Sequence, residues 1–80
     1  MEITDTEIRL INLIKVGEDN EIEKVRETHK AVIEKVKELG VEADIDITVR
    51  QLEGDEKETF GIKDTTGYRV VQVVALINQK

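Results

Sequence analysis

The stretch Tyr68–Asn78 reads YRVVQVVALIN, and where it must lie decides the fold. Val70, Val74 and Leu76 fall on one parity, and Val71, Val73, Ala75 and Ile77 fall on the other. An extended segment that is apolar on both faces needs cover on both, which is the profile of a central strand. Two earlier segments supply its neighbours. Glu7–Val16 is also two-faced, with Ile8, Leu10, Ile14 and Val16 on one parity and Ile11 and Leu13 on the other. Val41, Ala43, Ile45, Ile47 and Val49 alternate strictly with Glu42, Asp44, Asp46, Thr48 and Arg50. That third pattern predicts a strand with one buried and one wet face, placed at an edge where its acids discourage sheet-to-sheet aggregation.

Between the first two strands lies a helical repeat. Ile22, Val25, Val32, Ile33, Val36 and Leu39 recur at helical spacing. Asn20 stands three residues before Glu23 as an N-cap, and Gly40 fits the left-handed position that ends helices. The expected helix spans 21–39. Gly17–Asp19 breaks the chain before it, and Asp64–Gly67 signals a turn before the last strand. Thr59–Lys63 is expected as a further short strand. The fold class is therefore α+β, a single β-α-β-(β)-β domain over residues 1–80. Its curved antiparallel sheet of three to four strands packs on one long helix. The last strand inserts between the first and the second.

Composition bounds the function. The 80 residues include no cysteine, proline or tryptophan and only two aromatics, Phe60 and Tyr68. Without cysteine, no disulfide framework and no thiolate metal site can form. Isoleucine and valine make up 20 residues, so the core is aliphatic and largely in sheet. Lys plus Arg total 12 against 18 Asp plus Glu, a net charge of −6. Acidic balance repels phosphate backbones, and two rings are few for stacking bases, so no nucleic-acid partner is expected. The longest run without a charge, Val70–Gln79, is too short to cross a membrane, and no membrane partner is expected. The N-terminus shows no basic and apolar leader pattern, so a cytoplasmic location is expected.

One helix covers one face of a small sheet, whereas the first and last strands are apolar on both. If Ile8, Leu10, Ile14, Val16, Val70, Val74 and Leu76 face the helix, then Ile11, Leu13, Val71, Val73, Ala75 and Ile77 face away. A patch of that size predicts an interface: a homodimer or higher homo-oligomer, or a protein partner on the same surface.

Three polar residues interrupt the apolar faces near the middle of their elements. His29 falls inside the apolar arc of the helix, Asn12 on the first strand and Gln72 on the last. If they meet, carboxamides can satisfy the imidazole nitrogens, giving a buried network that sets register, a small-ligand pocket with Tyr68 at its margin, or a pH switch. No serine, cysteine or suitably spaced carboxylate joins the histidine, so no enzyme is expected. No cofactor is expected. Glu42, Asp44 and Asp46 form a flat row about 6.6 Å apart, a poor cage for a hard cation, so no metal site is expected either.

The β-α-β-β order, the size and the implied assembly are similar to dodecins, small flavin-storing oligomers. Tyr68-Arg69-Val70-Val71-Gln72 looks like their last strand. That resemblance implies a ligand-binding oligomer, although dodecins stack flavin on a tryptophan and this chain has none. Cystatin-like folds also wrap a long sheet around one helix, but the inhibitory Q-x-V-x-G loop is absent. The functional expectation is a small non-enzymatic interaction or assembly protein that self-associates through an apolar sheet face. The alternatives are a dodecin-like oligomer binding a small molecule near the polar cluster, and a designed sequence without function.

Overall fold

The computed structural model describes residues 1–78. Its elements are β1 (Glu2–Ile3), β2 (Glu7–Lys15), α1 (Glu21–Leu39), β3 (Ala43–Arg50), α2 (Glu56–Thr59) and β4 (Tyr68–Ile77). The strands form one open sheet in the order β1-β2-β4-β3, antiparallel throughout. The two-faced strand β4 is interior, as expected. The half-polar strand β3 is an edge.

Local signals set the helix ends. The Asn20 side chain accepts from the Glu23 N–H at 3.2 Å, satisfying one donor of the first turn. At the other end Gly40 adopts φ 68°, which costs a residue without Cβ little. Its N–H donates to Lys37 O, and the Val41 N–H donates to Val36 O, the paired bonds of a Schellman termination. The turn from β2 into α1 closes on Asp19, whose carboxylate accepts from the Lys15 N–H at 2.9 Å. Before β4, Asp64 Oδ1 accepts from the Thr66 N–H at 2.9 Å, completing the expected turn.

Two elements differ from the expectation. The polar segment at the N-terminus forms β1, a two-residue strand on β2 that carries no apolar alternation to announce it. The region 59–63 is not a strand. Residues Glu56–Thr59 make one helical turn, and the chain runs on irregularly to β4. Phe60 and Ile62 are half-buried while Thr59, Gly61 and Lys63 are exposed. That alternation arises from a loop turning two side chains inward, without ladder pairing.

The register assigns the faces. Asn12 lies opposite Val71 and Leu10 opposite Val73, so even-numbered residues of β2 share a face with odd-numbered residues of β4. Val71, Val73 and Ala75, expected to face away from the helix, are fully buried with Ile8, Ile14 and Val32, and Ile77 packs against this cluster. Val70, Val74 and Leu76, expected to face the helix, lie on the opposite side with Ile11 and Leu13. Burial explains the choice. The odd set of β4 is an uninterrupted apolar row, whereas the even set would carry Gln72 into the aliphatic core.

α1 lies across β2 and β4 and barely reaches β3. A helix about 10–12 Å wide covers about two strands spaced about 4.8 Å apart. The core therefore sits under β2 and β4, and six of the eight residues of β3 are exposed. Replacing Ile14 by alanine should cost about 2–5 kcal/mol, whereas Leu76→Ala on the open side should change stability by less than about 0.5 kcal/mol. Urea denaturation of both variants checks this assignment, and equal losses would contradict it.

Candidate functional site

The polar residues singled out in the sequence do not form one group. Asn12 lies on the helix-facing side, where its Nδ2 donates to Thr28 Oγ1 at 3.3 Å, and Thr28 Oγ1 in turn donates to Lys24 O at 2.7 Å. Gln72 lies on the opposite face of the sheet. His29 is half-buried on α1, one residue past the fully buried Thr28. Tyr68 stands at the start of β4 opposite Lys15, whose ammonium lies 5.8 Å from the ring centroid. The odd-with-even register separates Asn12 from Gln72, because two residues on opposite parities of a pairing cannot meet. Thr28, which partners Asn12, escaped notice because its hydroxyl reads as ordinary helix surface until the helix is seated.

Gln72 instead anchors a charged cluster on the outer face. Its Oε1 accepts from the Arg9 guanidinium at 2.9 Å and from Arg50 at 2.9 and 3.3 Å. Arg50 also grips Glu56 in a bidentate pair, at 2.7 and 2.8 Å. The two paired side chains are only 17% and 15% exposed, so solvent screens them less than a surface pair. Glu56 Oε1 further accepts from the Glu53 N–H at 2.7 Å. The Arg50 hydrogen bonds hold the Glu56 carboxyl well below its ordinary value, at about 2, against an opposing effect of burial and with help from the Glu53 N–H and the nearby charge of Arg9. This cluster ties the start of the 51–67 segment to the sheet. Val70, on the same face, is fully buried, and Ile11, Leu13 and Val74 are half-buried. Part of the outer surface that the sequence left open is thus buried, with Leu76 remaining 53% exposed.

A row of uncovered apolar residues lies on the helix side of β3. Ile45, Ile47 and Val49 lie opposite Ala75, Val73 and Val71, on the face that α1 covers farther along the sheet. They remain 36%, 38% and 39% exposed, and Ile22 at the near end of α1 is 66% exposed. A shallow depression of about 330 Å³ separates helix and strand there, lined by Glu21, Ile22, Val25, Arg26 and Val49. The surplus expected on the first and last strands therefore appears on the second long strand. Helix width against strand number was the available signal, because one helix cannot cover three full strands.

Among the described residues, no group of three or more His, Asp or Glu side chains is placed to hold a metal ion. No helix of the described residues is long and apolar enough to cross a membrane. No family model, curated protein or solved structure matches the chain.

The Glu56 pair has a definite pH signature. Its carboxyl is depressed in the folded chain, so its contribution is fully present above the unfolded value near 4.3 and is lost as pH falls toward about 2. Glu56→Gln should lower stability at pH 7 by about 1.5–3 kcal/mol, the range for a hydrogen bond to a charged group. The gap between variant and parent should narrow as pH drops from 5 to 2. Urea titrations across that range measure it, and a gap independent of pH would show that the ion pair is not its source.

Proposed function

We propose that this protein is a non-enzymatic interaction and assembly module that associates with itself through the β3 side of the sheet. The observation that carries this reading is the continuous exposed aliphatic row of Ile45, Ile47 and Val49 beside Ile22, next to a sheet edge with no strand beyond it among the described residues. Apolar side chains grouped on one face favour removal from water at about 25 cal/mol per Å2, and a second copy presents the same surface to the first. The size of the chain supports the reading too. A domain of this length has a small core, and association adds burial that the core by itself lacks.

The chemistry available on this face also fits assembly. It is aliphatic at its centre and charged at its rim, with Glu21 and Arg26 beside the depression. Apolar centre and polar rim is the usual anatomy of a protein interface. The outer face suits this role less, because the Arg9–Gln72–Arg50–Glu56 cluster occupies its middle.

Native mass spectrometry and sedimentation test the reading. The expected species is a multiple of the 9.1 kDa chain, with a dimer as the smallest. Ile22→Lys should shift the population to monomer without unfolding the chain, since that side chain is already two-thirds exposed. A parent protein that stays monomeric to millimolar concentration would overturn the proposal.

A further inference from the structure

We infer that β3 pairs antiparallel with β3 of a second copy, with Ile47 of each chain on the twofold axis. The inference rests on the self-association proposed above and specifies how the two copies meet.

The first argument is which edge is free. The sheet has two outer strands, and they are not equivalent. β2 extends past the short β1, but none of its residues 10–15 is exposed. β3 has no neighbour on its outer side among the described residues, and its residues 44–49 are all exposed.

The second argument is which backbone groups point outward. The Asn78 N–H donates to Glu42 O at 2.9 Å, at the position that continues the Ala43–Ile77 register. Bonded and non-bonded pairs alternate along an antiparallel ladder. Asp44, Asp46, Thr48 and Arg50 therefore direct their N–H and C=O toward β4. Ala43, Ile45, Ile47 and Val49 direct theirs to the open edge. A second strand must bond to those four residues.

The third argument is register. Twofold pairing about Ile47 sets Ile47 against its own copy and Ile45 against Val49, both bonded pairs with aliphatic side chains on the helix-facing side. On the outer face it sets Asp44 against Arg50 and Asp46 against Thr48. Every residue from 44 to 50 then has a strand partner, and no acid faces an acid. A shift to an axis at Asp46 places that carboxylate against its own copy. An axis at Ile45 opposes Asp44 and Asp46. An axis at Thr48 keeps an opposite-charge pair, Asp46 against Arg50, but sets Ile45 against Gln51, beyond the strand, and pairs only residues 46 to 50. Like charges directly opposite are destabilising and opposite charges stabilising, so the two aspartates discourage the axes at Asp46 and Ile45, while the axis at Thr48 is disfavoured by its shorter overlap. Arg50 already spends its donors on Glu56, Gln72 and Gln51 O. Its attraction for Asp44 of the second copy is therefore one of charge across the pair, without a new hydrogen bond.

The absence of cysteine makes the test direct, because any single cysteine introduced is the only thiol in the chain. Residues bonded across an antiparallel pair have Cα atoms about 5.5 Å apart, within disulfide reach. Copies of residue 46 would be diagonal to one another, about 8 Å apart and outside that reach. Under mild oxidation Ile47→Cys should give a covalent species of twice 9.1 kDa on a non-reducing gel. Asp46→Cys should not, and Lys57→Cys, an exposed position off the sheet, should not. An equimolar mixture of Asp46→Cys and Thr48→Cys should cross-link as a heterodimer. Self-cross-linking of Asp46→Cys as fast as Ile47→Cys overturns the register. Failure of Ile47→Cys to cross-link, with the parent still dimeric by native mass spectrometry, overturns the strand pairing while self-association stands. A monomeric parent removes both.

Discussion

The width of one helix governs this molecule. α1 is about two strands wide, and the sheet has three full-length strands. The helix settles over β2 and β4, where it closes a core of Ile8, Ile14, Val32, Val71, Val73 and Ala75. β3 keeps its place in the ladder through β4 but receives little cover from above. Its aliphatic side chains are half-shielded as a result, and the open edge and the apolar surface fall on the same strand. The exposed aliphatic surface is a consequence of that mismatch, and the strand order places it at an open edge.

The opposite face solves a different problem. A sheet that is apolar on both sides needs cover on the side without a helix, and there the chain ties its long return from β3 to β4 against the sheet through charged groups. The bidentate Arg50–Glu56 pair holds the start of that return, while Gln72 accepts from both Arg9 and Arg50. Charged groups so little exposed would be costly without partners, and here each has a geometrically good one. The helix-facing side makes the same accommodation on a smaller scale. Asn12 and Thr28 satisfy each other and the Lys24 carbonyl, so that no buried side-chain nitrogen or oxygen among the described residues is left without a partner.

Periodicity made the main elements legible. The alternation of 41–50 gives a strand over Ala43–Arg50, although its expected buried face remains exposed at Ile45, Ile47 and Val49. The helical spacing of 22–39 with its Asn20 and Gly40 boundaries appears in the structure as read. So does the interior position of 68–77. The small pieces were not legible. Glu2–Ile3 pairs because the Thr4–Glu7 turn folds it back, with Thr4 accepting from the Glu7 N–H, and two residues cannot display a period. Glu56 looked like one acid in an acidic stretch until Arg50 was placed beside it. The candidate site was the least legible part. His29, Asn12, Gln72 and Tyr68 sit in central or prominent positions along the chain, yet face directions set by register and helix seating.

What the amino-acid sequence determined by itself is therefore the identity of the elements and the side chains each one needs to bury. Those properties follow from local geometry, since residues two apart on a strand or three and four apart on a helix share a face whatever else surrounds them. Tertiary structure alone decided which of two apolar faces meets the helix. Gln72 disfavours the even face of β4, yet the face chosen brings Asn12 of β2 inside, and only the β2–β4 pairing with α1 seated over it put Val71, Val73 and Ala75 inside and Gln72 outside. A one-residue change of register would exchange those sets, because side chains alternate with every residue along a strand. Tertiary structure also decided that Ile45, Ile47 and Val49 lie beyond the reach of α1, since how far a helix extends across a sheet depends on where it is seated and not on its own sequence.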